Sequence, residues 1–195
     1  MAGEAHHVIT LQSVRAALAN ARPRAASVAE AHPAAVSLVL VEGSHGADLL
    51  LIHRAERAGD PWSGQIALPG GRRDPADADL LATAVREARE ETGVDLHSAD
   101  RLGVLDDLVP MTPTLPRVLV RPFVFALHQR PDLVTNPEVQ RAFWVPLARL
   151  TDAGTRRDVT RVVRGAQRTF PAYVVDEVVI WGMTERILTS LISKL

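Results

Sequence analysis

Hydrophobic residues recur along the chain first at helical and then at strand-like spacing. Residues 6–21 have apolar side chains close to a helical period, which predicts an amphipathic helix that Pro23 ends or kinks. Residues 34–42 (AAVSLVLVE) and 49–54 (LLLIHR) are apolar runs joined by the turn-forming sequence GSHGAD, and they predict a β-hairpin. Residues 55–63 carry turn-forming types and predict a loop, after which GQIALPGG predicts a short strand ended by a glycine turn.

The second predicted helix covers residues 80–92, because its apolar positions follow a helical period and Gly93 stands just past its end. Asp77 and Asp79 both lie where an N-cap would sit. The remaining predicted elements are strands at 101–110, 117–127 and 139–145, a proline-punctuated loop at 110–116, a turn of helix at 146–150, a second hairpin at 159–163 and 169–175, and a closing helix at 182–195. Strands and helices that do not alternate strictly predict an α+β or mixed α/β sandwich.

The composition is that of an ordinary soluble globular chain. Its 195 residues are 47% hydrophobic and 23% charged, which predicts one folded domain over residues 1–195, with residues 1–33 as a helical extension packed on it. Twenty-two basic residues against 23 acidic ones give a net charge of −1, so we expect neither nucleic acid nor a membrane surface as a partner. Hydrophobic strand and helix edges leave a homodimer open.

The residue types that are absent exclude several classes of chemistry. The sequence has no cysteine, which excludes disulfides, zinc–thiolate sites, iron–sulfur clusters and a thiol nucleophile. Lys194 is its only lysine, which argues against a catalytic lysine. The apolar runs are too short to span a bilayer and the first residues lack the features of a secretion signal, so we expect a cytoplasmic protein.

The clearest chemical signal is a group of three glutamates on the second predicted helix. Glu87, Glu90 and Glu91 stand at i, i+3 and i+4, so their carboxylates project from one helix face. Clustered carboxylates repel one another unless a cation lies between them, and Mg²⁺ combines one or two such ligands with substrate phosphates. The glycine pair at 70–71 brings backbone groups close to the same assembly. The pattern favours a metal site for diphosphate chemistry, and the alternative is a solvated acidic face paired with neighbouring arginines.

The sequence around these glutamates resembles the signature of the Nudix hydrolases. That signature is a glycine, five residues, a glutamate, seven residues and then R-E-U-x-E-E-x-G-U, where U is apolar. Gly71 opens it here, and residues 86–94 (REAREETGV) complete it without a mismatch. The middle is one residue longer than the pattern, and Asp77 or Asp79 replaces its first glutamate. The resemblance implies an α+β fold of the α/β/α sandwich type, with a Nudix-type mixed β-sheet and flanking helices.

The resemblance also implies roles for the residues of this signature. Glu90 and Glu91 would ligate Mg²⁺ or Mn²⁺ together with the carbonyl of Gly71. Glu87 would ligate a second ion or act as the general base, and Arg86 would orient the glutamates through ion pairs. The metal neutralises diphosphate oxygens and lowers the pKa of a bound water, which then attacks phosphorus with the help of a base.

The segment before the signature is similar to the coenzyme A diphosphatase branch of that family, whose pattern is roughly LLTxRS…R…G…FPGG. The chain matches it at Leu50, Leu51, Arg54, Ala55, Gly64, Pro69, Gly70 and Gly71, while Ile52 and Leu68 replace its Thr and Phe. The function implied is hydrolysis of coenzyme A or acyl-CoA to 3′,5′-ADP and 4′-phosphopantetheine. The alternatives are Nudix hydrolysis of ADP-ribose, dinucleotides or oxidised nucleotides, and a nucleotide-sensing module without turnover.

Five side chains near the glycine turn are candidates for substrate binding. Arg54 and Arg57 would hold the 3′-phosphate or the diphosphate by charge-assisted contacts, or they are solvated charges at a strand end. Arg72 and Arg73 stand beside the glycine turn and are candidates for binding a phosphate near the metal. Trp62 would stack on adenine, or it is a structural tryptophan.

Other polar residues give weaker signals. Glu138 lies just before a predicted strand, where several relatives place an acid that faces the site, or it is a surface acid. The seven histidines show no metal-ligand spacing, and the sequence has no G-x-S-x-G motif, which argues against a serine hydrolase.

Overall fold

The computed structural model describes residues 8–27, 30–60, 62–110, 117–163 and 165–195. Within these residues the chain forms three α-helices and ten β-strands, numbered in chain order. The helices are α1 (Leu11–Ala19), α2 (Leu80–Thr92) and α3 (Met183–Ile192), and a 3-10 turn covers Leu147–Leu150. The strands are β1 (His32–Gly43), β2 (Gly46–Arg54), β3 (Ile66–Ala67), β4 (Gly70–Arg72), β5 (Asp100–Val104), β6 (Val118–Leu127), β7 (Val139–Pro146), β8 (Arg156–Val163), β9 (Ala166–Val175) and β10 (Val178–Trp181).

Strands β1 to β7 form one mixed sheet. At its centre β1 and β6 run parallel, whereas β2 pairs antiparallel with β1, β3 and β7, and β5 pairs antiparallel with β6. Strands β8, β9 and β10 form a second, antiparallel sheet. Helix α2 covers one face of the larger sheet, and α1, α3 and the second sheet cover the other face. The predicted α+β class, with a mixed sheet between flanking helices, is confirmed.

Alternation along β1 divides the hydrophobic core into two parts. Ala35, Val39 and Val41 face α2, whose small residues Ala84 and Ala88 are fully buried against the sheet. The intervening residues of β1 face α1, α3 and the second sheet. Burial of both faces explains why β1 is an almost unbroken apolar run in the sequence.

The two arms of the β1–β2 hairpin separate, and the segment from β3 to β4 fills the gap between them. β1 pairs with β2 only over residues 40–43 and 46–49. Further from the turn, β4 pairs with residues 34–36 of β1, and β3 pairs with residues 52–53 of β2. Gly70 is therefore held inside the sheet by strand pairing and does not depend on a loop for its position.

Local signals set both ends of α2 as predicted. The side chain of Asp79 accepts a hydrogen bond from the amide of Ala82 at 2.8 Å, which caps the N-terminus. Gly93 has a left-handed φ of 73°, and its amide donates to the carbonyl of Arg89 at 2.9 Å. The helix predicted at 80–92 is therefore confirmed, and its ends fix which side chains face the sheet.

The helix predicted at 6–21 is shorter in the structure, and residues 6–7 lie outside the described residues. Helix α1 begins after Thr10, whose hydroxyl accepts a hydrogen bond from the amide of Ser13 at 3.1 Å. This capping sets the helix start several residues later than the apolar spacing suggested. The helix ends at Ala19, before Pro23 is reached.

The strand predicted at 101–110 ends early, with the last residue of β5. The carboxylates of Asp106 and Asp107 accept hydrogen bonds from the amides of Arg24 and Ala26, both at 2.9 Å. These bonds tie the chain after β5 to the N-terminal segment, so it cannot continue along β6 as a regular strand.

Further differences concern the ends of elements and two short strands, of which β4 (Gly70–Arg72) stands where the sequence predicted a glycine turn. The second hairpin, β8–β9, is longer than predicted, and β10 was not predicted because four residues are too few for a clear alternation. The predicted extension at 1–33 overlaps the sheet, since β1 begins at His32. Residues 111–116 of the predicted loop lie outside the described residues. Among the described residues, no helix has both the length and the apolar character needed to cross a membrane.

Gly70→Ala should destabilise the fold through contact with the neighbouring strand. A Cβ atom at this position would lie 2.3 Å from the carbonyl oxygen of Ala35 and 2.6 Å from the Cα of Val36. Backbone atoms of a central strand cannot move aside, so we expect the free energy of unfolding to fall by about 3 kcal/mol in urea titrations. Gly154→Ala is the control, because Gly154 has a φ of 79° but no atom within 4 Å, and it should cost about 1 kcal/mol. Equal losses would contradict the tight placement of Gly70.

Candidate functional site

A cavity of about 440 Å³ opens beside the β3–β4 segment, and its two walls differ in character. One wall is charged and comes from α2, from the loop after β2 and from the residue before β7. The other wall is apolar and includes Val36, Val118, Val120, Met183 and Ile187. A ligand in this cavity would contact both charged groups and an apolar surface.

Glu87 lies directly against the backbone of Gly71. A Cβ atom added to Gly71 would stand 2.4 Å from a carboxylate oxygen of Glu87, so a larger residue would displace the glutamate. Burial raises the pKa of Glu87, and the charge of Arg86 opposes that rise. The carboxylate is thus packed against the backbone of Gly71, whose carbonyl the sequence assigned to the ion of Glu90 and Glu91.

Glu91 is the most buried of the three glutamates, with 2% exposure. One carboxylate oxygen accepts a hydrogen bond from the amide of Gly70 at 2.8 Å, and the other lies 3.9 Å from Nη1 of Arg54. Burial raises the pKa of Glu91 to about 7, the hydrogen bond from Gly70 opposes the rise, and the nearby charge of Glu87 adds to it. A cation beside Glu91 would lower this pKa, because an opposite charge favours the ionised carboxylate.

The guanidinium of Arg86 connects acids on both sides of it. Its Nε and Nη2 donate to the two carboxylate oxygens of Asp77, both at 3.0 Å. Its Nη1 donates to Glu87 at 2.9 Å and to Glu90 at 3.0 Å. Nη2 also donates to the carbonyl of Arg72 at 3.2 Å, next to the glycine pair. This geometry is suited to orienting the glutamates relative to the glycine turn.

Asp77 is the buried partner of Arg86. It is 7% exposed, and it accepts hydrogen bonds from the amide of Asp74 and the hydroxyl of Thr83, each at 2.9 Å. The hydrogen bonds from Arg86 hold the pKa of Asp77 well below its usual value, although burial opposes them. The sequence left Asp77 and Asp79 open as the replacement for the first glutamate of the signature. The structure separates them, because Asp79 caps α2 while Asp77 binds Arg86.

Three of the predicted site residues differ in their access to the cavity. The side chain of Glu90 is 53% exposed and lies on an outer groove along α2. The guanidinium of Arg73 donates to the carbonyls of Asp77 and Ala78, both at 2.9 Å, so it closes the turn before α2. Arg72 is exposed and lines the cavity. Of these three, only Arg72 faces the cavity directly.

The loop after β2 supplies the remaining charged residues. Nη1 of Arg57 donates to Glu138 at 2.9 Å, and both side chains are about half exposed at the cavity. Trp62 lines the cavity, and its amide donates to a carboxylate oxygen of Asp60 at 2.9 Å. Arg54 is mostly buried beneath this loop, with its Nη2 2.8 Å from Asp60. The more accessible of the two predicted phosphate-binding arginines is therefore Arg57.

Asp60 and the apolar wall were not identified from the sequence. Asp60 lies in a segment of turn-forming residues, where an aspartate has an ordinary local explanation. Met183 and Ile187 appear in the sequence only as the core face of the closing helix. Their place at the cavity depends on how α3 packs against the sheets, and no local pattern encodes that packing.

Asp77→Asn removes the most buried charged partner of Arg86 and keeps a side chain of the same size. We expect the free energy of unfolding at pH 7 to fall by about 1–3 kcal/mol, because a partly buried guanidinium loses the most buried of its three charged acceptors. The folded-state pKa of Asp77 lies below its unfolded value of 3.8, so the wild-type protein should lose this advantage as the pH falls below about 4. Urea titrations from pH 7 to pH 3 measure the difference.

Asp79→Asn is the matched control for this experiment, because asparagine caps a helix about as well as aspartate does. It should change the free energy of unfolding by less than about 0.5 kcal/mol. A difference between wild type and Asp77→Asn that stays constant over the whole pH range would mean that Asp77 acts through its shape and not through its charge.

Comparisons with known proteins identify the family of the chain. The NUDIX domain family model matches residues 31–163. A Nudix hydrolase named NudL from Photorhabdus laumondii is 35% identical over 148 residues, covering 74% of this chain and 76% of that protein. An uncharacterized protein of Schizosaccharomyces pombe is 38% identical over 133 residues, covering 65% of this chain but only 40% of the yeast protein. The crystal structure of a NUDIX hydrolase from Alicyclobacillus acidocaldarius shares the fold, with a TM-score of 0.55 and 21% identity over 86% of this chain and 93% of that one. The chain belongs to the Nudix hydrolase family.

Proposed function

We propose that the protein hydrolyses a diphosphate linkage in a nucleoside diphosphate derivative with the help of a divalent cation. The observation that carries this proposal is the placement of Glu87 and Glu91 beside the glycine backbone at 70–71, in one cavity. Buried carboxylates so close together are costly unless a cation or a proton joins them. Membership of the Nudix family supports the same reaction.

The oxygen donors of the site fit Mg²⁺ or Mn²⁺. Glu90, Glu91 and the carbonyl of Gly71 would hold one cation, and Glu87 would hold a second cation or act as the base, since hard divalent ions prefer carboxylate and carbonyl oxygens. Within the described ranges, no three acid or histidine side chains enclose a metal site by themselves. Substrate phosphates and water would therefore complete the shell, as is usual for Mg²⁺. When bound, the cation neutralises diphosphate oxygens and activates a water for attack on phosphorus.

The chain's own residues would prepare this reaction in several ways. Arg86 pairs with Glu87 and Glu90 and so limits their movement. Glu87 would either ligate a cation or act as the general base for the attacking water, and both roles stay open. Arg57 and Arg72, which line the cavity, would bind phosphate oxygens by charge-assisted hydrogen bonds.

Coenzyme A or an acyl-CoA is the substrate that we favour, with 3′,5′-ADP and 4′-phosphopantetheine as products. The apolar wall would accommodate the pantetheine or acyl part of such a substrate. Trp62 would stack on adenine, and Arg57 would bind the 3′-phosphate. The sequence before the Nudix signature supports the same substrate.

Other diphosphates would fit the same charged wall. ADP-ribose, dinucleotides and oxidised nucleotides all carry the linkage, so a panel of substrates should be tested with Mg²⁺ and with Mn²⁺. Release of 3′,5′-ADP would identify coenzyme A, whereas release of AMP would identify ADP-ribose or an adenine dinucleotide. Binding without turnover under either metal would identify a nucleotide-sensing module.

Glu90→Gln tests the metal shell, because it removes one charged ligand and hardly changes the shape of the side chain. We expect kcat under saturating Mg²⁺ to fall by at least about 10²-fold. Folding should be preserved, since the side chain is 53% exposed. Arg89→Gln is the control, because this exposed neighbour lines the same outer groove but supplies no oxygen ligand, and kcat should stay within about two-fold of wild type. A Glu90→Gln enzyme within a few-fold of wild type would mean that Glu90 only pairs with Arg86.

Arg57→Ala tests the identity of the substrate through the 3′-phosphate. If coenzyme A is the substrate, the wild-type kcat/KM for 3′-dephospho-coenzyme A should be lower by about 10- to 150-fold, the range for a lost contact between arginine and phosphate. The Arg57→Ala variant should lose this preference while its rate on the dephospho form barely changes. Glu138→Gln is the control, because it breaks the ion pair between Arg57 and Glu138 but keeps the arginine. This variant should still prefer coenzyme A over the dephospho form. Equal wild-type rates on both substrates would rule out coenzyme A.

A further inference from the structure

Arg54 has partners that differ from those expected of a phosphate-binding arginine. It is the last residue of β2, and its guanidinium lies between two acids that both line the cavity. Nη2 donates to Asp60 in the loop at 2.8 Å, and Nη1 lies 3.9 Å from the carboxylate of Glu91 on α2. Each end of the guanidinium thus faces a carboxylate that belongs to the protein itself.

The side chain of Arg54 is also enclosed. It is 23% exposed, and its Nε is buried without a hydrogen-bond partner among the described residues. Arg57, by contrast, is 51% exposed and can turn away from Glu138 at low cost. An arginine that binds a substrate phosphate needs donors that are free to reach it, and this requirement is met better by Arg57.

Asp60, the acid in the loop that pairs with Arg54, also holds loop residues that line the cavity. One carboxylate oxygen of Asp60 accepts from Arg54, and the other accepts from the amide of Trp62 at 2.9 Å. The hydroxyl of Ser63 accepts from the amide of Arg57 at 2.7 Å, which closes the loop upon itself. Movement of Asp60 would therefore shift the loop residues that line the cavity.

We propose that Arg54 is a positioning residue that bridges Asp60 in the loop to Glu91 on α2. The bridge couples the placement of the substrate-facing loop to the charge and orientation of a metal-binding glutamate. Arg54 does not touch substrate in this arrangement and acts only through these two acids. The inference rests on the proposed diphosphatase function, because it assumes that Glu91 binds a cation.

Kinetics separate this role from phosphate binding. Arg54→Gln and Asp60→Asn should each lower kcat and raise the Mn²⁺ concentration for half-maximal rate by at least about 10-fold, as expected for residues that support metal ligands. The loss should be the same for coenzyme A and 3′-dephospho-coenzyme A, and the double variant should be no worse than either single one. Arg54→Lys should recover part of kcat, since it keeps a cation between the acids. A rise in KM for coenzyme A alone would make Arg54 a phosphate ligand and would overturn the proposal.

Two measurements do not depend on activity. Mn²⁺ binding, followed by electron paramagnetic resonance, should weaken by about 10-fold in Arg54→Gln and in Asp60→Asn. In protein labelled with 5-fluorotryptophan, the chain gives three tryptophan signals, and the Trp62→Phe variant identifies that of Trp62. This signal should shift or broaden in both variants, while the signals of the other tryptophans should not. Unchanged Mn²⁺ affinity and an unchanged Trp62 signal in Arg54→Gln would overturn the proposal.

Arg15→Gln is the matched control, because it breaks an exposed ion pair with Asp100 that has a separation of 2.7 Å. It should leave kinetics, Mn²⁺ binding and the Trp62 signal unchanged. The two proposals fail in different ways. If the wild-type protein hydrolyses no diphosphate, but the variants still show weaker Mn²⁺ binding and an altered Trp62 signal, the proposed function is contradicted and the role of Arg54 stands. If the wild-type protein hydrolyses a diphosphate, but the variants change neither Mn²⁺ binding nor the Trp62 signal, the proposed function stands and the role of Arg54 is contradicted.

Discussion

The ion pair between Arg86 and Asp77 sets the geometry on which the rest of the site depends. Two parallel hydrogen bonds of 3.0 Å orient the guanidinium, and the turn before α2 holds the aspartate in turn. The pair keeps Asp77 ionised at neutral pH. Arg86 would therefore keep one charged partner even when Glu87 or Glu90 turned to a cation. Nε and Nη2 bind Asp77, so Nη1 stays free to donate to either glutamate while the guanidinium keeps its orientation.

Three arginines in and beside the cavity form ion pairs with acids, and each ion pair joins two different segments of the chain. Arg86 on α2 holds the turn before it, Arg54 on β2 lies between the loop and α2, and Arg57 in the loop reaches Glu138 before β7. The negative charge of Glu91 has a more distant partner than the acids of these pairs, because Nη1 of Arg54 lies 3.9 Å away. An additional positive charge would therefore be most favourable beside Glu91, at the buried end of the site.

Local rules were sufficient for part of this structure. The C-terminal end of α2 followed from Gly93, and its N-cap was narrowed to Asp77 or Asp79, of which the structure uses Asp79. The helical spacing placed Glu87 and Glu91 on one face, because it depends only on residues a few positions apart. The partners of Arg54 and Arg73 were beyond such rules. Arg73 stands beside the glycine turn in the sequence, yet it bonds to carbonyls of its own turn. Which acceptor an arginine reaches depends on tertiary packing, and the sequence pattern alone does not encode it.

The parallel pairing of β1 with β6 has a consequence for how the protein folds. The whole of β6 pairs with β1, from His32 opposite Val118 to Val41 opposite Leu127. The glycine turn and α2 lie in the long loop that this pairing closes, and closing such a loop costs entropy before any contact repays it. During synthesis, the glutamates are therefore made well before β6, and β7 of the same sheet follows later still. Helix α2 packs against both β1 and β6, so it cannot reach its full set of contacts with the sheet until β6 has been made.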